Sequence, residues 1–240
     1  MRAEPWTCRY GEVLVRGGHF QTFTVPEQES QTVLDVVAWI QQNADPTLSY
    51  RYACRVGMCG SCAMMVNGQP RWTCRTHVKK VVTGNGLQIG PLRNLPVIKD
   101  LATDMDPFFE KWVAAEGVFH PKKTRDDAIE LIDPTGAARV EADRAIECIN
   151  CAVCYAACDT VTNNQAYLGP AALNRAWTLL NDVKDGDSQG ILDAVSTGGG
   201  CHNCHSQGSC TRFCPNELSP LDSIAGLKRA TAKSFFKQGA

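Results

Sequence analysis

Cysteine is the residue type most able to do chemistry in this sequence, with thirteen cysteines in 240 residues. Four lie between Cys54 and Cys74, eight lie between Cys148 and Cys214, and Cys8 stands apart. No apolar run follows Arg2 near the start of the sequence, so we expect no secretory signal. Clustered thiols without such a signal are expected to be metal ligands in a reducing compartment rather than disulfides.

The first group of thiols has the spacing of a plant-type [2Fe–2S] site, which is C-x4-C-x2-C with a fourth cysteine after eleven further residues. The predicted ligands are Cys54, Cys59, Cys62 and Cys74. The loop must turn three thiolates inward, and Gly57 and Gly60 permit the dihedral angles and close backbone approach that this needs. Neighbouring N–H groups can donate to cluster sulfur and raise its potential. The alternatives are structural cysteines or a zinc knuckle.

A second run, C-x2-C-x2-C-x3-C from Cys148, has the bacterial ferredoxin spacing, in which the fourth cysteine serves the other cluster. A reciprocal run ends at Cys214-Pro215, but Gln207 takes the place of its second cysteine. If the last cysteine of each run binds the cluster of the other run, a [4Fe–4S] site is predicted at Cys148, Cys151, Cys154 and Cys214. The other site keeps only Cys158, Cys204 and Cys210. Three thiolates with a neutral amide at the fourth corner predict [3Fe–4S].

Neighbouring residues leave alternatives open at this third site. Cys201 lies three residues before Cys204 and could act as a fourth ligand. The position that lacks its expected cysteine, Gln207, lies on the other side of Cys204. A zinc site could use Cys201, His202, Cys204 and His205. That zinc site would leave Cys158 and Cys210 without a role. Cys8 has no partner in any of these patterns.

The elements that must position the first thiols read as strands around one helix. Glu12–Arg16 and His19–Val25 flank Gly17-Gly18, which predicts a hairpin. Apolar residues at helical spacing predict about three turns of helix: Val33, Leu34, Val36, Val37 and Ile40. Asn67-Gly68 between Ala63–Val66 and Arg71–Cys74 predicts a second hairpin. The stretch 90–107, with three prolines, is expected to be the passage between domains.

The rest of the chain reads as helical. One apolar face is expected at Phe108, Phe109, Trp112 and Val113, and another at Leu173, Ala176, Trp177 and Leu180. Ser219-Pro220-Leu221-Asp222 predicts a helix start, with a capping serine, proline in the first turn and an acid near the positive end. The charge run Lys122–Asp127 is expected to be a solvated loop. The predicted fold class is α+β, with domains at residues 1–104 and 105–240.

Charge and hydropathy exclude other classes of protein. The net charge of −1 offers no basic face for nucleic acid. The best apolar stretch, Val33–Ile40, is too short to span a membrane and is interrupted by Asp35. The chain is therefore not expected to cross a membrane by itself.

The sequence resembles the iron–sulfur subunit of the succinate dehydrogenase and fumarate reductase (complex II) family over nearly its whole length. The resemblance is carried by "SYRYACRVGMCGSCAMMVNG", "CINCAVCYAAC", "LGPAAL" and "CPNELSP". The second of these phrases is closer to the fumarate reductase branch. The resemblance implies a β-grasp plant-type ferredoxin domain followed by a mainly α-helical, bacterial-ferredoxin-like domain that holds two clusters.

The family's partners and order of clusters follow from this resemblance. It implies an FAD-bearing flavoprotein that performs the succinate or fumarate chemistry, and a membrane anchor that binds quinone. The [2Fe–2S] cluster would face the flavin and the [3Fe–4S] cluster the quinone, with [4Fe–4S] between them. The chain would lie peripherally on the cytoplasmic side of the membrane, held by its partners. The alternative is the iron–sulfur subunit of a related flavoenzyme with another substrate or without quinone.

Some residues of this sequence match the family's residues near the quinone, and others differ from them. Lys228 matches a lysine of both branches, and His205 matches a histidine of the succinate dehydrogenase branch. Asn163 stands where that branch has a quinone-binding tryptophan. Asp159 stands where both branches usually have proline after the fourth cysteine.

The glutamine at position 207, where the ferredoxin run would have a cysteine, leads to a direct prediction. We expect Gln207→Cys to convert the third cluster to [4Fe–4S] and to lower its potential, because the added thiolate completes the ferredoxin run. EPR spectroscopy of oxidised and reduced protein measures the conversion, with Gln207→Ser as a control that keeps the three-iron signal. An unchanged three-iron spectrum in Gln207→Cys would show that the alignment of the two runs is wrong.

Overall fold

The computed structural model describes residues 6–11, 20–84 and 86–238. Its contacts divide the chain into two compact units. One takes the described chain up to Met105 together with Ile149–Ala157, and the other takes Asp106–Cys148 and Cys158 onward. The segment Ile149–Ala157 therefore groups with the first unit, an arrangement that differs from a simple division at residue 104 and that no sequence pattern indicated.

A mixed five-stranded sheet forms the centre of the first unit. Its strands are β1 (Trp6–Gly11), β2 (Phe20–Val25), β3 (Ala63–Val66), β4 (Gln69–Trp72) and β5 (Leu87–Gly90). The spatial order is β2-β1-β5-β3-β4, with β1 and β5 parallel and the other pairs antiparallel. The hairpin predicted at Asn67-Gly68 is confirmed, and both residues have the positive φ that the turn requires (49° and 76°).

The predicted first hairpin is only partly described. The expected strand Glu12–Arg16 and the Gly17-Gly18 turn lie outside the described residues. The described partner of β2 is β1, which pairs Trp6 with Val25 and Gly11 with Phe20. Cys8 lies in β1, where its backbone pairs with Phe23 and Leu87.

One helix, α1 (Val33–Asn43), packs on this sheet and confirms the predicted three turns. It begins with a capping box, in which the Thr32 hydroxyl accepts from the Asp35 N–H and the Asp35 carboxylate accepts from the Thr32 N–H. Its apolar face enters a core that contains Val25, Val33, Val36, Val37, Ile40, Leu48, Met64, Val66, Val78, Leu87, Ile89 and Leu101. The sheet and helix thus hold the cysteine-bearing loop that joins α1 to β3.

The stretch 90–107 is not only a passage between domains, because its residues up to Met105 belong to the first unit. It contains the two-stranded sheet of β6 (Val97–Lys99) and β7 (Ala102–Thr103), and the preceding chain forms a short helix, α2 (Val78–Val81). Arg93 Nε donates to the Ala156 carbonyl at 3.1 Å, and Asn94 Nδ2 donates to the Tyr155 carbonyl at 2.9 Å. These two hydrogen bonds join the chain after β5 to the helix α5 (Val153–Ala156) within the first unit.

The second unit is helical. Its helices are α3 (Asp106–Ala114), α4 (Ala137–Ile146), α6 (Asp159–Asn163), α7 (Pro170–Leu180), α8 (Ser188–Val195), α9 (Ser209–Arg212) and α10 (Pro220–Gln238). Buried Asn174 of α7 joins three of them, donating to the Ala145 carbonyl and accepting from the Ser223 hydroxyl. Gly226 allows α10 to approach α7, since a Cβ there would lie 2.5 Å from the Trp177 ring.

The helical predictions had mixed outcomes. The α10 start at Pro220 is confirmed, and the Ser219 hydroxyl accepts from the Asp222 N–H. The apolar face predicted on α3 is only partly buried, because Phe108 is buried while Phe109 and Val113 are 43% and 57% exposed. Within the described residues, no helix is both long and apolar enough to span a membrane.

Candidate iron–sulfur sites

The loop between α1 and β3 directs backbone N–H groups at sulfur. Cys54 Sγ accepts from the N–H groups of Val56, Met58 and Cys59 at 3.3 to 3.4 Å, and Cys59 Sγ accepts from the Cys54 N–H at 3.5 Å. The loop reaches this form with positive φ at Arg55, Gly57 and Gly60. Hydrogen bonds from backbone amides stabilise a thiolate, so this loop is chemically suited to an iron–sulfur cluster.

Cys62 and Cys74 complete the first group of thiols from the buried side. Cys74 follows β4 in a short 3-10 helix (Thr73–Arg75), and the Thr73 hydroxyl donates to the Cys62 carbonyl at 2.7 Å. Burial raises the pKa of Cys74 to about 12, and the neighbouring Cys62 and Cys54 thiols add to this rise. Hydrogen bonds from Ser61 and from the Cys54 backbone instead lower the pKa of Cys59 to about 6. The structure thus brings all four predicted ligands together, and bound iron would offset the cost of ionising Cys74.

Gly60 allows this loop to contact the next cysteine run. A Cβ placed on Gly60 would lie 2.5 Å from Cys151 Cβ and 2.8 Å from Cys151 Cα. Both residues belong to the first unit. Only a residue without a side chain permits this contact, so the predicted ligand loops of two clusters touch through backbone.

The second group of thiols is distributed over both units. Cys151 and Cys154 lie in the first unit, beside Asn150 and Ala152, whose φ values are positive (53° and 60°). Cys148 and Cys214 belong to the second unit, where Asn216 Nδ2 donates to the Glu147 carbonyl at 2.7 Å. That bond holds the chain beside Cys148 close to the chain beside Cys214. The grouping of all four cysteines remains a prediction from their spacing.

The third group lies within the second unit, around a buried tyrosine. The charges of Cys158, Cys204 and Cys210 all raise the pKa of Tyr167, after the larger effect of burial. Burial likewise raises the pKa of Cys210 to about 11, and Cys204 and Cys158 contribute. The three predicted ligands therefore lie around one place, and the structure adds Tyr167, which the sequence patterns missed.

The other candidate residues lie around this third group. Lys228 Nζ donates to the Cys204 carbonyl at 2.7 Å, while His205 and Gln207 are exposed. Cys201 is fully buried, and its pKa is raised by burial while the Thr231 hydroxyl and Lys228 oppose the rise. His202 also contacts the Thr231 hydroxyl, at 3.0 Å. These contacts tie Cys201 and His202 to α10.

Comparisons with known proteins agree with this arrangement. Residues 9–110 match the model of a 2Fe-2S iron-sulfur cluster binding domain, and residues 147–219 match that of a 4Fe-4S dicluster domain. The fumarate reductase iron-sulfur subunit of Escherichia coli O6:H1 is 31% identical over 95% of this chain and 92% of its own length. The mitochondrial succinate dehydrogenase [ubiquinone] iron-sulfur subunit 1 of Oryza sativa subsp. japonica is 35% identical over 82% and 70% of the two chains.

This chain belongs to the family of fumarate reductase and succinate dehydrogenase iron–sulfur subunits. It is an electron-transfer subunit of an oxidoreductase, with a [2Fe–2S] ferredoxin-type domain followed by a 4Fe–4S dicluster domain. A chain of the Mycobacterium smegmatis Sdh1 complex has the same fold, with a TM-score of 0.86 over 98% of both chains at 24% identity. The family resemblance predicted from the sequence is confirmed.

Two departures from the family pattern lie next to each other on α6. Asp159 is its exposed first residue, and Asn163 is exposed and donates to the Asp159 carbonyl at 2.9 Å. An acid in the first turn favours the helix start. Proline is also well suited to this first helical position. The favourable position of a negative charge in the first turn is therefore a sufficient structural reason for Asp159 in this family member.

The contact between Gly60 and Cys151 yields a prediction for this subunit. We expect Gly60→Ala to destabilise the first unit, because a φ of 70° strains alanine and the added methyl meets Cys151. The strain costs about 1–2 kcal/mol, and the overpacking adds about 1–3 kcal/mol. Gly68→Ala is the matched control, since its φ is 76° but a Cβ there would meet nothing within 4 Å.

Urea unfolding and iron quantitation of the purified complex measure the difference between these variants. Gly60→Ala should lose both stability and bound iron, whereas Gly68→Ala should show only the smaller loss of stability. Equal losses in the two variants would mean that the approach to Cys151 contributes nothing.

Proposed function

We propose that this chain relays electrons between an FAD-bearing succinate or fumarate subunit and a membrane quinone. The observation that carries the proposal is the backbone contact between Gly60 and Cys151, which joins the loops predicted to hold two successive clusters. Electron tunnelling falls steeply with distance, so adjacent ligand loops favour transfer between the centres they hold. The dicarboxylate chemistry would belong to the partner flavoprotein.

Three centres would be held by the cysteines of this chain. The [2Fe–2S] ligands are Cys54, Cys59, Cys62 and Cys74; the [4Fe–4S] ligands are Cys148, Cys151, Cys154 and Cys214; the [3Fe–4S] ligands are Cys158, Cys204 and Cys210. When bound, these clusters supply one-electron transfer. Gln207 supports the three-iron assignment because an exposed neutral amide at the fourth template position offers iron no thiolate. The mixed sheet crossed by α1 supports a β-grasp fold for the first unit.

The surface around the first loop supports docking of the flavoprotein. Val56 and Met58 are 59% and 70% exposed, although both belong to the loop that directs amides at Cys54. Arg55 lies over the ring of Tyr52, 4.9 Å from its centroid, and Tyr52 stacks on Tyr50. Exposed apolar side chains next to a redox centre are expected to be covered by the partner that exchanges electrons with it.

Lys228 and His205 support a quinone-side role for the third site. Both lie next to Cys204 in the structure, Lys228 through its bond to the Cys204 carbonyl and His205 through the chain. A membrane anchor subunit would carry the quinone and hold this chain on the cytoplasmic side of the membrane. Asn163, in place of the family's quinone-binding tryptophan, favours a second candidate, a related flavoenzyme with another substrate or no quinone.

Purification of the complex by a tag on this chain tests the proposed function. We expect an FAD-containing subunit to co-purify, nine irons per chain in three EPR-distinct centres, and dicarboxylate activity that the isolated chain lacks. Co-purification of an apolar subunit with quinone reductase activity would support the quinone route, and a soluble complex would support the second candidate. Activity of the isolated chain would contradict both.

A single substitution tests the docking surface. We expect Met58→Asp to weaken binding of the flavoprotein about 10- to 100-fold, because burying a methionine side chain contributes roughly 1.5–3 kcal/mol. Ile98→Asp is the matched control, since Ile98 is equally exposed at 70% but lies in β6 outside the cysteine loop. Titration of flavoprotein against each variant measures the loss. Equal affinities for both variants would rule out the loop as the docking surface.

A further inference from the structure

Tyr167 carries a buried hydroxyl without a well-formed partner. Its side chain is fully buried, and its oxygen has no hydrogen bond of good geometry within the described residues. The Cys204 thiol lies near enough for a looser interaction. A buried hydroxyl without a partner destabilises the fold, because it loses its hydrogen bonds to water and gains none in return. A phenylalanine would avoid that cost, so the hydroxyl needs an acceptor that protein atoms alone do not supply well.

The backbone around Tyr167 is attached firmly to the chain that leads to Cys204. The Leu168 N–H donates to the Gly199 carbonyl at 2.8 Å, and Asn164 Nδ2 donates to Asn203 Oδ1 at 3.2 Å. Gly199 permits this approach, because a Cβ there would lie 2.0 Å from the Ala166 carbonyl oxygen. The tyrosine ring is thus held in a set position relative to Cys204.

The groups that surround the hydroxyl are sulfur ligands. Cys204, Cys158 and Cys210 are the electrostatic neighbours of the Tyr167 hydroxyl, and the Cys204 thiol is the nearest of them to hydrogen-bonding reach. The three thiolates of a bound cluster, together with its sulfides, would form the most negative acceptor available to this hydroxyl.

We propose that the Tyr167 hydroxyl donates a hydrogen bond to sulfur of the [3Fe–4S] centre, either a sulfide or Cys204 Sγ, and thereby raises the reduction potential of that centre. The inference rests on the proposed function, because it requires the three-iron cluster. A donor to sulfur strengthens its bond as reduction adds negative charge, so it stabilises the reduced state more than the oxidised state. Tyr167 is a positioning and tuning residue, not a ligand.

Redox titration of the whole complex, followed by the EPR signal of the oxidised three-iron centre, tests this role. We expect Tyr167→Phe to shift the potential to a more negative value, because it removes only the hydroxyl. The matched control is Thr178→Val, which removes another buried hydroxyl of the second unit, one that donates to the Asn174 carbonyl. This control should leave the potential unchanged.

A second variant separates hydrogen bonding from general disturbance of the site. Site-specific replacement of Tyr167 by 3-fluorotyrosine gives a more acidic, stronger donor and should shift the potential to a more positive value. Opposite shifts for the two Tyr167 variants support the inference. Shifts of the same sign, or none, overturn it while leaving the proposed function intact. A wild-type complex without any three-iron signal overturns the inference together with the proposed three-iron assignment, but not the electron relay.

Discussion

The constraint on which the structure depends is the convergence of several thiols in places with little water. Burial disfavours each thiolate, and neighbouring thiols add to the cost, so the pKa of Cys74 is raised to about 12 and that of Cys210 to about 11. Bound iron would remove this penalty, because the charge of a metal favours the deprotonated form of the thiol that it binds. The rest of each unit holds the sulfur atoms in position for the metal to bind.

The two units meet this constraint in different ways. In the first, backbone N–H groups of a loop with three left-handed residues donate to Cys54 Sγ. Cys62, just before β3, and Cys74, in the 3-10 helix after β4, lie on the buried side of the loop. In the second, the ligands lie on separate short helices and turns, and side-chain bonds join them. Lys228 holds the Cys204 carbonyl from α10, and Asn216 holds the chain beside Cys148. A loop with internal hydrogen bonds suits one centre, whereas a helical unit must gather its ligands from distant segments.

Local signals in the sequence were sufficient for several elements. The apolar spacing around Val36 predicted α1, Asn67-Gly68 predicted its hairpin, and Ser219-Pro220 predicted the start of α10, because each depends on neighbouring residues. The same reasoning predicted the helix at α3, but it could not show that Phe109 and Val113 on its apolar face would stay exposed. Periodicity indicates which residues share a face of a helix, but not whether another element covers that face.

The sequence by itself determined the chemistry of this subunit. Cysteine spacing and the glutamine at position 207 define the predicted clusters, because ligand loops impose short, regular intervals that remain visible in the linear chain. Only the tertiary structure decided that Gly60 packs on Cys151, that Ile149–Ala157 joins the first unit, and that Tyr167 lies among three thiols. These relations connect residues many positions apart through packing and burial, and such contacts leave no periodic or spaced pattern from which they could be read.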